Sequence, residues 1–405
     1  MNVGKRPPGD TWRVLGVTLA IQAMVSMAVL TIPAIAPAFA GRIEVSVSLL
    51  AAYVVLVYVG AIIASLMSGQ MVRRYGAIRV SQGGLVLCSV GLALVMLPSV
   101  WVVAPGAFLI GLGYGPITPA SSHLLAISTP AHRASLVFSI KQTGVPVGGM
   151  LAGLVAPPIT LQAGPAAALA LVLVLCLLCV FLAQPLHASH DVDCVPGSPM
   201  RIGGLLRPLR MVLAHAGLRR LALTSFVFSG MQLCLAAYLV TYLHTELHYS
   251  LILAGIALST AQVGGIVGRI VWGYIADRYL GATRTLVALS GMMALGTIAT
   301  GLLSEHAQLS WVLLLAALFG AAATGWNGVY LAAVARLAPA GMAGTATGGA
   351  LSVTFFGTLL VPAAFGLVSD LTNSLGVGYM LMAVPIILCG VVLARAGERG
   401  AQPSR

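Results

Sequence analysis

Polar residues are confined to short intervals of this chain, and apolar stretches of about twenty residues run between them. Twelve such stretches follow one another, at about 12–37, 47–69, 80–98, 101–127, 134–158, 165–184, 220–243, 250–275, 284–303, 309–334, 343–368 and 375–395. At 1.5 Å per residue each is long enough to cross a ~30 Å hydrocarbon layer as a helix. In lipid every backbone N–H and C=O must be bonded within the segment, which favours helix for apolar runs of this length. The pattern predicts an all-α membrane protein with twelve transmembrane helices, numbered here as spans 1 to 12. The start resembles a signal peptide, with basic residues, an apolar run and an A-x-A site at Ala38–Ala40. Its apolar part is too long for that role and eleven more spans follow, so it is expected to be the uncleaved first span.

Composition agrees. The chain is 59% hydrophobic and 7% charged, against about 25% charged in soluble proteins. Its net charge of +12 would suggest nucleic acid in a soluble protein, but the positions give another meaning. With the N-terminus inside, Lys5, Arg6, Arg13, Arg73, Arg74, Arg79, Arg133, Arg201, Arg207, Arg210, Arg219, Arg220, Arg278, Arg284, Arg336, Arg395, Arg399 and Arg405 all fall on the cytoplasmic side. Only Arg42 falls outside, and Lys141 and Arg269 lie within spans. This bias predicts an integral plasma (cell inner) membrane protein with both termini cytoplasmic and no nucleic-acid partner. Five of the six cysteines lie in spans, so no disulfide framework is expected. Cys176 and Cys179 form a C-x-x-C in the most uniformly apolar span, where they are expected as small hydrophobes rather than as a metal or redox site.

A hydrophilic stretch divides six spans from six, giving expected domains 1–184 and 219–405 with a cytoplasmic linker at 185–218. The halves are weakly alike. GQMVRRYG from Gly69 matches GYIADRYLG from Gly273, and GLGYGP from Gly111 matches GAAATG from Gly320 at a shift of 209. Gln22 and Gln232 correspond at a shift of 210. Parallel six-helix repeats point to alternating access, with a site near mid-membrane. The segment Gly273–Arg284, G-Y-I-A-D-R-Y-L-G-x-x-R, resembles the loop signature of the major facilitator superfamily, and both expected positions of that loop are occupied. The resemblance covers essentially the whole chain. It implies two pseudo-symmetric six-helix bundles rocking about a central site, with spans 1, 4, 7 and 10 lining it and spans 2, 5, 8 and 11 between the halves. It also implies gating by the signature charges Arg74, Asp277 and Arg278. The first copy departs from the family pattern, because Arg73 stands where an acid is usual.

All nine acidic residues fall at or beyond span ends, so Lys141 and Arg269 have no intramembrane carboxylate partner in sequence. A lipid-facing cation at a helix centre costs ~2.5–3.5 kcal/mol, so both should face protein. Lys141 shares a helical face with Gly144 and Gly148, and Arg269 with Gln262, Gly265 and Gly273. The Gly144-x-x-x-Gly148 and Gly264-x-x-x-Gly268 faces are expected to bring spans 5 and 8 together across the halves. Both cations sit ~12 Å from the cytoplasmic end. At ~8 Å, with an effective dielectric of ~20, they would repel by ~2 kcal/mol, which a bound anion would reverse. The expected substrate is therefore a small organic anion, a carboxylate, with Arg269 as forked ligand and Lys141 as point charge. The run Gly268-Arg269-Ile270-Val271-Trp272-Gly273 is similar to that of oxalate/formate and monocarboxylate carriers, where the arginine contacts the carboxylate.

Further candidates for orienting the substrate are Gln142 beside Lys141, Gln22 and Gln232 on spans 1 and 7, Tyr114, Thr118 and Ser122 on span 4, and Trp326, Asn327 and Tyr330 on span 10. His123 is the candidate proton carrier. The group His187, His190, Asp191, Asp193 and Cys194 has no strong metal spacing and is expected to be solvated linker; no metal or cofactor is expected. The rival reading, a proton-driven multidrug antiporter of the same superfamily, commonly has a span 4 arginine where this chain has Ala107. It also has a G-P-x-x-G-G run, which Val145–Gly149 lacks. No H-E-x-x-H or membrane aspartate pair supports an enzyme. The chain is thus expected to be a monomeric secondary transporter, with a coupled proton or counter-anion left open.

Overall fold

A computed structural model of the protein describes residues 9–44, 50–192, 194–200 and 202–400. The helices are α1 (Gly9–Ala34), α2 (Ala36–Arg42), α3 (Leu50–Tyr75), α4 (Ala77–Val95), α5 (Val100–Tyr114), α6 (Ile117–Ser128), α7 (Ala134–Gln142), α8 (Gly144–Ala163) and α9 (Pro165–His190). After the linker helix α10 (Arg207–Ala214) come α11 (Ala216–Thr245), α12 (Leu251–Ile275), α13 (Gly281–Gly301), α14 (Leu309–Gly325), α15 (Asn327–Leu337), α16 (Ala343–Thr372) and α17 (Leu375–Gly400). Among the described residues eleven continuous helical stretches are long and apolar enough to span a membrane. One of them, Leu251–Gly301, has 51 residues, ~77 Å of helix, which is more than twice the hydrocarbon thickness. It holds both α12 and α13, parted by a π-helical turn at Ala276–Leu280 and by Gly281 at φ 74°. Twelve crossings in two six-helix halves result. Lys5, Arg6, Arg201 and Arg405 of the expected cytoplasmic set lie outside the described residues, as does Asp193.

Spans 4, 5 and 10, expected to be continuous, are each interrupted. A proline clashes with the carbonyl four residues earlier and offers it no N–H. Pro119 so releases the Gly115 carbonyl, where α5 gives way to α6, and Ser65 Oγ donates to it instead at 2.8 Å. Pro146 stands in the same relation to Gln142, the last residue of α7. In span 10 the break falls at Trp326, between α14 and α15.

Two compact units emerge. The first comprises residues up to Pro130, Lys141–Val212 and Ala338–Ser352; the second comprises Ala131–Ile140, Leu213–Leu337 and Val353 onward. The start of span 5 belongs to the second unit and the start of span 11 to the first. In the first unit α1 packs on α8 and α9, α4 on α5 and α9, and α3 on α5. In the second α12 packs on α14, and α17 on α11 and α13.

Repeat symmetry is written into the closest contacts. A methyl group on Gly111 would lie 2.0 Å from the Val57 carbonyl oxygen, and one on Gly320 1.9 Å from that of Ala261. Gly60 and Gly264 make the matching approaches to the carbonyls of Phe108 and Ala317. Backbones come this close only where no side chain intervenes, which allows dispersion contacts to replace the hydrophobic drive that lipid does not supply.

These contacts correct one expectation. The Gly144/Gly148 face packs on α1, against Leu19, Gln22 and Ala23, and the Gly264/Gly268 face packs on α14, against Ala317 and Ala321. Each small-residue face serves its own unit. Spans 5 and 8 do meet, within the second unit, but through Gly273, whose added methyl would lie 2.6 Å from Ser139 Oγ. Gly69 receives Thr345 of span 11 in the corresponding way.

Candidate functional site

Lys141 lies in the last turn of α7, where helix carbonyls lack intrahelical partners and carry partial negative charge that favours a cation. Its side chain is 1% exposed. The three ammonium protons go to three neutral oxygens: Gln22 Oε1 at 2.7 Å, Gln142 Oε1 at 3.0 Å and Thr118 Oγ1 at 3.2 Å. Thr118 in turn donates to Gln22 Oε1 at 2.9 Å, and Gln22 Nε2 donates to Ser26 Oγ at 3.3 Å. Among the described residues no carboxylate lies within ion-pairing distance of Lys141. Four sequence-selected residues from spans 1, 4 and 5 therefore converge, and all belong to the first unit. Ser122 and His123 of α6 are also buried in that unit, and Tyr114 is half-buried at the end of α5.

The second unit repeats part of this pattern. Asn327 Nδ2 donates to Gln232 Oε1 at 3.1 Å. At the repeat shifts of 210 and 209 these residues correspond to Gln22 and Thr118, so one polar bond between first and fourth spans occurs in both halves. Trp326 and Tyr330 are almost fully buried, with ring centroids 5.3 Å apart, and Trp326 meets Phe228 edge-on at 5.7 Å. Arg269, 2% exposed, donates from Nε to the Thr324 carbonyl at 2.9 Å. It thus docks on the last turn of α14, a favourable end of the helix for a cation.

The signature loops differ in what they hold. Asp277 accepts from the Ser135 and Leu136 N–H groups at 3.0 and 2.8 Å, capping α7, and Arg336 Nη2 donates to it at 3.2 Å. Arg336 also donates to the Ala131 carbonyl at 2.8 Å. It was not singled out from sequence, and Arg278, which was, is exposed. At the position matching Asp277 stands Arg73, which cannot cap a helix start. Its carbonyl instead accepts the Val195 N–H at 2.7 Å, and Arg74 donates to the Ser198 carbonyl at 3.4 Å.

The expectation of a solvated linker is corrected here. Asp191 and His190 are buried, and Asp191 accepts from the Ile78 and Arg79 N–H groups at 2.8 and 3.0 Å, with His187 Nδ1 at 2.9 Å. Burial follows from this capping, because a carboxylate with several donors is compensated for lost water. Gly76, at φ 90°, makes room for it. The H-x-x-x-D spacing at the end of an apolar helix, just where the first signature copy lacks its acid, was the available signal. Among the described residues no cluster of metal-binding side chains is present.

Comparison with known proteins adds the following. The family model of the Major Facilitator Superfamily matches residues 15–362 and 221–403. The gentisate transporter of Corynebacterium glutamicum is 23% identical over 351 residues, covering 83% of this chain and 76% of that protein. The benzoate transport protein of Acinetobacter baylyi is 30% identical over 147 residues, 36% of this chain and 30% of its own length. The crystal structure of the human organic anion transporter MFSD10 superposes with a TM-score of 0.76 at 16% identity, covering 96% of this chain and all (100%) of that one, a likeness of fold alone.

Proposed function

Since the chain belongs to the Major Facilitator Superfamily and is a secondary transporter rather than an enzyme, we propose that it carries small organic anions, specifically aromatic carboxylates, and that Lys141 binds the carboxylate. The observation that carries this reading is the Lys141 cluster: a buried ammonium whose protons are held by three neutral oxygens. The ammonium already makes these bonds charge-assisted, and a carboxylate exchanging for one of the neutral oxygens adds the attraction of a full opposite charge. It also neutralises an ion that is costly to keep out of water. Gln22, Gln142 and Thr118 hold the ammonium in place meanwhile, and Gln22 is fixed through Ser26. The relatives named for gentisate and benzoate transport point the same way, since both compounds are benzene carboxylates.

Arg269 is a second cation candidate in its own unit, while Gln232 and Asn327 are mutually bonded groups with amide capacity left over. The protein lies in the plasma (cell inner) membrane with both termini cytoplasmic. Its gate is the Asp277–Arg336 clasp on α7, and Arg74 acts on the linker.

Reconstituted protein should accumulate benzoate-type carboxylates in liposomes and leave lipophilic cations untouched, with pH and counter-anion gradients imposed separately to read the coupling. Cation transport with no carboxylate uptake would replace this reading with drug export. For the gate, Asp277→Asn removes the charge that holds two α7 N–H groups and Arg336. Amide exchange at Ser135 and Leu136 should accelerate about tenfold, as expected for a cap worth ~1–2 kcal/mol, and turnover should change with it. Unchanged exchange would show that the clasp does not hold α7.

A further inference from the structure

The linker ahead of α11 carries a feature that transport does not use. Between Asp193 and Glu246 the sequence has no acidic residue, yet it holds Arg201, Arg207, Arg210, Arg219 and Arg220. Gly203, Gly204, Leu205, Leu206, Arg207 and Arg210 line a cavity of about 460 Å³. Arg207 and Arg210, three apart, lie on one side of α10. Both are exposed, and no hydrogen bond or ion pair to another described residue engages either guanidinium. Arg219, by contrast, donates to the Leu213 carbonyl at 3.1 Å.

Position and apolar neighbours narrow the ligand. The opposite side of α10 is buried at Pro208 and Val212, and a methyl on Gly349 of α16 would lie 2.5 Å from the Pro208 carbonyl oxygen. Gly349 is six residues into α16, ~9 Å from its end, so α10 packs against the first turns of a membrane span. Leu206, which lines the cavity, is 48% exposed, and Leu213 is 38% exposed. A small hydrated anion has no use for such a wall, whereas a lipid phosphate with acyl chains attached does.

We propose that the Gly203–Arg210 turn and α10 form a binding site for an anionic phospholipid headgroup. Arg207 and Arg210 hold the phosphate, and Leu206 and Leu213 lie against the upper acyl chain. Paired guanidiniums beside exposed leucines match the basic amphipathic segments that recognise acidic lipid surfaces.

The test uses the full chain in a nonionic detergent, titrated with short-chain phosphatidylglycerol, phosphatidylcholine or inorganic phosphate and read by native mass spectrometry. Phosphatidylglycerol should bind at least about tenfold more tightly than phosphatidylcholine, each guanidinium contributing about fivefold. The double variant Arg207→Gln/Arg210→Gln should abolish that preference, and Arg219→Gln should retain it. Both arginines are exposed, so these variants should elute as the parent protein does. Equal binding of the two lipids, or a preference that survives the double variant, overturns the proposal. Displacement of phosphatidylglycerol by equimolar inorganic phosphate overturns it too, in favour of a free-anion site.

Discussion

Lys141→Met is expected to abolish carboxylate uptake while leaving a protein that folds and resists heat better than the parent. The two effects have separate origins. A buried charge pair broken on one side costs about 2–5 kcal/mol of binding, so uptake below saturation should fall about thirtyfold or more. The substrate-free protein, however, keeps an ammonium out of water with neutral oxygens alone as partners. Methionine has nearly the same length and removes that desolvation cost. It leaves Gln22 and Gln142, whose amide groups can turn to donate to each other's oxygens, and the Thr118 hydroxyl already donates to Gln22. Thermal unfolding of substrate-free protein and uptake in liposomes are the two measurements. A variant that transports normally removes Lys141 from the site, and one that merely unfolds assigns it a structural role.

Gly320→Ala should have the largest effect on stability. Its new methyl would lie 1.9 Å from the Ala261 carbonyl oxygen, 2.5 Å from the carbonyl carbon and 2.6 Å from Cα. All three are backbone atoms of α12, which no side-chain rotation can move aside. Relief requires α14 to withdraw from α12, and Arg269 reaches the Thr324 carbonyl across that same seam. The cost should be about 3 kcal/mol or more, seen as loss of monodisperse protein and a lower unfolding midpoint. Gly153→Ala is the internal comparison, because its methyl meets nothing within 4 Å. It should be neutral or slightly stabilising, since alanine is the better helix former. Equal behaviour of the two variants would show that the α12–α14 seam is not tightly packed.

The fold was legible because hydropathy leaves few alternatives in lipid, and the signature around Asp277 then identified the repeat. The surroundings of Lys141 were legible only in part: a cation in an apolar run must face protein, and Lys141 is buried. Gln22 and Thr118, read from sequence as groups that orient a ligand, instead bond the ammonium itself, a pairing that no spacing in the sequence announces. The destinations of the glycine faces were not legible. Small-residue spacing states that something comes close, but Gly148 fits α1 as well as it would any other helix. Arg336 and Asp191 stayed hidden because each acts on groups distant in sequence, Arg336 on Asp277 and Ala131, Asp191 on the N–H groups of Ile78 and Arg79. Buried Asp191 looked like linker composition until the helix start it caps was in view.

The Asp277 cap also sets a schedule for biosynthesis. The donors on Ser135 and Leu136 precede their acceptor by 142 and 141 residues. At about 5–20 residues per second, the start of α7 waits roughly 7–30 s after its own synthesis before the carboxylate exists. Throughout that interval Ala131–Ile140 has left the ribosome without the unit it will join, while Lys141 next door can already meet Gln22 and Thr118. A nascent chain halted before residue 277 should therefore hold its ammonium cluster and leave the preceding turn open to proteases, a vulnerable state confined to one stage of synthesis.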